Sequence, residues 1–87
     1  MHITTATQSF ELTGAHEEVA LVAASRQFAH WLGRMDARFR IGDIVVQAAD
    51  RRYDGGLLFA KLRAEVTDES GRRIPGEVFL RGDAVAV

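Results

Sequence analysis

Apolar residues change their spacing along this 87-residue chain, and each change marks a different kind of element. The first dozen residues, "MHITTATQSFEL", mix threonines with isolated apolar positions and predict a short edge strand or an ordered arm. From residue 13 a helical period takes over. Leu21, Ser25, Phe28, Leu32, Met35 and Phe39 recur at alternating intervals of four and three, with Ala24 and Trp31 alongside. Arg26, His30 and Arg34 fall on another face, so the spacing predicts an amphipathic helix with its apolar stripe toward a core or a partner. Thr13 is the candidate N-cap, and Glu17 and Glu18 place negative charge in the first turns, where the helix dipole favours it. Ser25 is a candidate cap for a second helix, which would break the first.

After Arg38 the period shortens. "FRIGDIVVQAAD" is a β-branched run ending in the polar loop "DRRYDGG". In the next segment Leu58, Ala60, Leu62, Ala64 and Val66 share one face, while Lys61, Arg63, Glu65 and Thr67 share the other. That alternation predicts a half-buried antiparallel strand. "TDESGRR" supplies a hairpin turn with Gly71 at positive φ, and Pro75 confines the returning strand "GEVFL" to a start or an edge. Gly82 is expected to bend the chain before "DAVAV" begins another strand. The pattern predicts a single α+β domain over residues 1–87: an N-terminal amphipathic helix, then a small antiparallel β-meander of about three strands.

Composition narrows the function. A chain this size supports one modest core. A net charge of −1 argues against nucleic acid, since phosphate binding needs a basic excess. There is no apolar run long enough for a membrane span and no secretory leader, so the cytoplasm is the expected location. Without cysteine there is neither a disulfide framework nor a thiolate site. Ten of the eleven basic residues are arginine, which, beside thirteen alanines, reads as compositional bias rather than as a binding signature.

Standard catalytic constellations are missing. His2, His16 and His30 lack metal-ligand spacing, and His30 lies on the polar helix face. Ser9, Ser25 and Ser70 have no nucleophile-elbow context, and no phosphate-cradling glycine loop precedes a lysine. Phe28 and Trp31 belong to the apolar stripe and read as core or interface.

The second half of the chain carries a resemblance. Ile74-Pro75-Gly76-Glu77-Val78-Phe79-Leu80-Arg81-Gly82-Asp83-Ala84-Val85-Ala86-Val87 follows, almost position for position, a motif Val-Pro-Gly-x-Val-Phe-x-Arg-Gly-x-Ala-Val-Ala-Val-Leu. That motif precedes the catalytic core of Nudix hydrolases of the ADP-sugar and ADP-ribose pyrophosphatase branch. The chain resembles most closely the plant-type ADP-sugar diphosphatases, whose preceding helix contains Phe-x-x-Trp-Leu, matched by Phe28-Ala29-His30-Trp31-Leu32. The resemblance spans roughly residues 25 to 87.

The resemblance implies an N-terminal substrate-recognition and dimerisation domain that swaps onto a second subunit. "AVAV" would then be the first strand of the Nudix core, and the chain the front part of a longer enzyme. The Nudix box itself, G-x5-E-x7-R-E-U-x-E-E-x-G-U with U aliphatic, is missing: no arginine here is followed by glutamate. Mg²⁺ is therefore expected only in the full-length parent, no cofactor in this chain, and the chain alone is expected to be inactive. Arg81 and Glu77 match positions that contact a nucleoside diphosphate sugar in that branch. Gly76 stands where the ADP-ribose members carry a further arginine, and Gly56-Leu57 replaces their aromatic partner. A surface charge at Arg81 and cross-strand pairing at Glu77 are the competing accounts. The domain is expected to form a homodimer or higher homo-oligomer, because "DAVAV" would leave an apolar edge exposed. A stand-alone interaction module is the competing reading of the whole chain.

Overall fold

A computed structural model describes residues 1–81. The elements are β1 (His2–Thr4), β2 (Ser9–Thr13), α1 (His16–Ala23), α2 (Arg26–Asp36), β3 (Arg40–Arg51), β4 (Leu57–Thr67) and β5 (Arg73–Arg81). The strands form one five-stranded sheet in the order β1-β2-β3-β4-β5. All pairs are antiparallel except β2 and β3, which run parallel through Leu12↔Ile44 and Thr13↔Val45. This corrects the expected helix followed by a three-stranded meander. Two strands precede the helical region, the sheet is mixed, and the helix is two short ones. Parallel neighbours need a crossover of a dozen or more residues, and the segment holding α1 and α2 supplies it across one face of the sheet. Gly82 and "DAVAV", where the sequence predicts a bend and a further strand, lie outside the described residues.

The opening residues, expected to hold one short strand or an arm, hold two strands, and the second, β2, reads "SFELT", with Phe10 and Leu12 buried and Ser9, Glu11 and Thr13 exposed. Five alternating residues are too few to stand out beside the long helical stripe. Thr13 is consequently the end of a strand and not a helix cap; its hydroxyl donates to the Ile44 carbonyl at 3.4 Å. Gly14 then turns the chain at φ +144°, and a Cβ there would meet the Val46 carbonyl oxygen at 2.8 Å. Only glycine suits that close approach. The N-cap of α1 is Ala15, which offers no side-chain acceptor. Glu18 goes beyond dipole compensation by accepting from the Ala49 backbone N–H at 3.3 Å, which ties α1 to β3.

Ser25 ends one helix and starts the next. Its hydroxyl donates to the Val22 carbonyl at 2.7 Å and accepts from the Phe28 N–H at 3.1 Å, a capping contact worth about 1 kcal/mol. The break lets each helix aim its own apolar pair at the sheet: Val19 and Val22 from α1, Phe28 and Trp31 from α2. Phe28 and Trp31 stack with centroids 6.0 Å apart. Beneath them lie Ile41, Ile44 and Val46 of β3, Ala60, Leu62, Ala64 and Val66 of β4, and Leu80 of β5.

The strand period fails at one expected core position. Leu57 is buried and Leu58 is 52% exposed. Arg51 pairs with Leu57 and Asp50 with Phe59, so Leu58 is the extra residue of a bulge and is turned outward. In the β4–β5 turn, Asp68 Oδ1 accepts from Ser70 N, Ser70 Oγ and Arg72 N at 2.9, 2.7 and 2.9 Å, and Gly71 adopts φ +86° as expected.

The β1–β2 turn is held by one carboxylate. Asp36 Oδ1, at the end of α2, accepts from Gln8 Nε2 at 2.7 Å and from the hydroxyls of Thr5 and Thr7 at 3.0 Å each. Gln8 also donates to the Phe39 carbonyl and accepts from the Ile41 N–H, so one side chain joins the turn, the helix end and the start of β3. These donors, Gln8 foremost, hold the Asp36 carboxyl below its ordinary value of 3.8.

Two predictions follow from this packing. Leu62→Ala should cost about 2–5 kcal/mol, the range for emptying a buried leucine site, while Leu58→Ala should stay within about 0.5 kcal/mol. Urea denaturation of both variants measures the difference; equal losses would show that Leu58 is a core residue. For Asp36, a depressed folded-state value means its stabilisation is present above pH 3.8 and lost as pH falls through the lower folded value. Thermal melts should therefore fall less steeply with acid below about pH 4 in Asp36→Asn than in the wild type.

Candidate functional site

Helices cover one face of the sheet, and the β4–β5 hairpin presents the other face to solvent. Its register sets Phe59 opposite Arg81, Lys61 opposite Phe79, Arg63 opposite Glu77 and Glu65 opposite Pro75, without a shift along the pair. Because Ala60, Leu62, Ala64 and Leu80 are buried under the helices, the residues between them point away from the core. Glu77 and Arg81, the two positions singled out in the sequence, therefore share the open face, two places apart on β5 with Phe79 between them.

The face combines apolar and charged groups. Phe59 and Phe79, diagonal neighbours across the hairpin, lie with centroids 6.0 Å apart at 38°. Phe79 is 44% exposed and Val45, opposite Arg63 on β3, 42%. Lys61 Nζ stands 3.6 Å from Glu77 Oε1, a cross-strand ion pair of the kind the competing account gives Glu77. Arg73 forks onto Glu65 through its Nε and a terminal nitrogen. These exposed pairs contribute little stability each. Arg63 and Arg81 form no ion pair among the described residues. Two guanidinium groups thus stand ready for an external carboxylate or phosphate beside an aromatic pair.

The alternation of β4 predicted the outward turn of Lys61, Arg63, Glu65 and Thr67. It also contains the signal for Phe59, which falls on the same parity. Phe79 was read only as part of the returning strand. A separate shallow hollow at the β3–β4 turn is lined by Arg51, Arg52, Tyr53, Asp54 and Leu58. His30 is exposed on α2, as its place on the polar face implied.

No group of three or more His, Cys, Asp or Glu among the described residues could hold a metal ion. The described residues do not fit Mg²⁺. No helix among the described residues is long and apolar enough to cross a membrane. No family model, curated protein or solved structure matches this chain.

Proposed function

We propose that this chain is the N-terminal substrate-recognition and dimerisation domain of a Nudix-type nucleoside-diphosphate-sugar pyrophosphatase that acts in the cytoplasm. The motif from Ile74 to Val87 and the Phe-x-x-Trp-Leu helix support the reading. The observation that carries it is the continuous β4–β5 register, which sets both motif positions, Glu77 and Arg81, on the solvent face instead of beneath the helices. A guanidinium on that face, with no ion pair among the described residues, can take a phosphate or ribose oxygen through two parallel hydrogen bonds. Glu77, engaged with Lys61, would present its second oxygen to a ribose hydroxyl. Metal-dependent cleavage of the pyrophosphate linkage belongs to a Nudix box outside these 87 residues, with Mg²⁺ as its cofactor.

The reading frame beyond the Val87 codon is expected to encode that box; a stop codon there would favour a stand-alone interaction module. The 87-residue chain alone should release no AMP from ADP-ribose or ADP-glucose with Mg²⁺. Turnover above a no-protein control, in a preparation free of contaminating hydrolases, would contradict the proposal. In the full-length enzyme Arg81→Lys should lower kcat/KM about ten-fold or more, roughly the 1.4 kcal/mol of one lost charge-assisted contact, with an unchanged thermal melt. Near-normal kinetics would remove Arg81 from the site.

A further inference from the structure

The two edges of the sheet are protected differently. β1 is three residues long, and its N-terminal amine donates to the Leu12 carbonyl at 2.7 Å. β5 runs nine residues, pairs among the described residues with β4 alone, and has no bulge or register shift in that pairing. A long, regular edge is a template for another strand.

Pro75 fixes which backbone groups that edge offers. It cannot donate into the β4 ladder, so an unbroken register through Pro75 makes position 75 one whose nitrogen faces away from β4. Backbone direction alternates along an antiparallel strand, so Glu77, Phe79 and Arg81 also turn their N–H and C=O groups outward. The same three residues carry their side chains on the open face. Their order, acid-aromatic-base, is self-complementary when reversed.

We propose that β5 pairs antiparallel with β5 of a second copy about a two-fold axis at Phe79. Phe79 then lies opposite the partner's Phe79, and Glu77 opposite Arg81 of the partner subunit, twice by symmetry. Val78 meets the partner's Leu80 on the helix-covered side. The two sheets join into one, and both Arg81 groups gain a carboxylate that no described residue of their own protomer gives them. Backbone hydrogen bonds supply the association and the paired charges fix its register. This pairing rests on the dimerisation half of the proposed function and gives it a surface, and its test needs no enzymatic activity.

Sedimentation of the 87-residue chain at about 100 µM should show a dimer. Arg81→Glu, which leaves the Lys61–Glu77 pair intact, and Glu77→Arg should each weaken it at least ten-fold, roughly, by opposing like charges. The double variant E77R/R81E should restore the dimer to within about three-fold of wild type, because the swapped pair is complementary again. Arg81→Lys keeps the charge and should keep the dimer, so a failed substrate role for Arg81 and a failed pairing are told apart. Circular dichroism checks that each variant folds. Since the chain has no cysteine, Phe79→Cys should cross-link to itself with a short bis-maleimide, whereas His30→Cys at an exposed position should not. A monomeric wild type, single variants that dimerise normally, a double variant that stays apart, or no cross-link at 79 would each overturn the pairing.

Discussion

Burial of one face of β3 and β4 is the constraint on which the rest of the molecule depends. Ile41, Ile44 and Val46 from one strand and Ala60, Leu62, Ala64 and Val66 from its neighbour form a continuous apolar surface. Each fully buried aliphatic side chain contributes on the order of 1.5–3 kcal/mol, so this surface must be covered. Two helices separated by the Ser25 hinge cover it better than one straight helix would, since the break lets Val22 and Phe28 both reach the sheet. The outer face is relieved of that demand and is free to carry charge.

Legibility in the sequence followed the strength of each period. β4 could be read because its apolar and polar residues alternate over the eight positions from Ala60 to Thr67, and the turn after it because Asp68, Ser70 and Gly71 are turn chemistry. β2 was hidden by its length, and its parallel pairing to β3 could not be read from local pattern at all. That pairing depends on where a distant strand ends up once α1 and α2 have crossed the sheet. The same long-range cause explains Thr13. As a residue type it suits a helix N-cap, but Gly14 and the approach of Val46 hold it in the sheet. Leu58 shows the opposite error, in which a correct period was carried one residue past a bulge that only the partner strand reveals.

The candidate site was legible in part. Glu77 and Arg81 came from the motif, and the alternation of β4 supplied the outward charges beside them. What the sequence withheld was the neighbourhood. Phe59 and Phe79 are twenty positions apart, and Lys61 and Glu77 sixteen. Only the hairpin register, set by the length of the turn from Asp68 to Arg72, brings them together. A one-residue slip would send Glu77 and Arg81 to the helix side and Leu80 into water, so burial of Leu80 fixes the register on which the face depends.

Asp36 and Pro75 secure the two ends of the sheet by different physics. At the β1 end, the donors on Asp36 and the Gln8 bridge spend polar groups internally, so the turn, the helix end and the start of β3 are bound to one another. That network satisfies the polar groups of the turn within the chain itself. At the β5 end, the backbone is engaged among the described residues on the β4 side alone, and Pro75 removes a single donor from the other side without shifting the register. Phe79 and Arg81 stand exposed on that strand, so the two ends of the sheet differ in what they present to solvent.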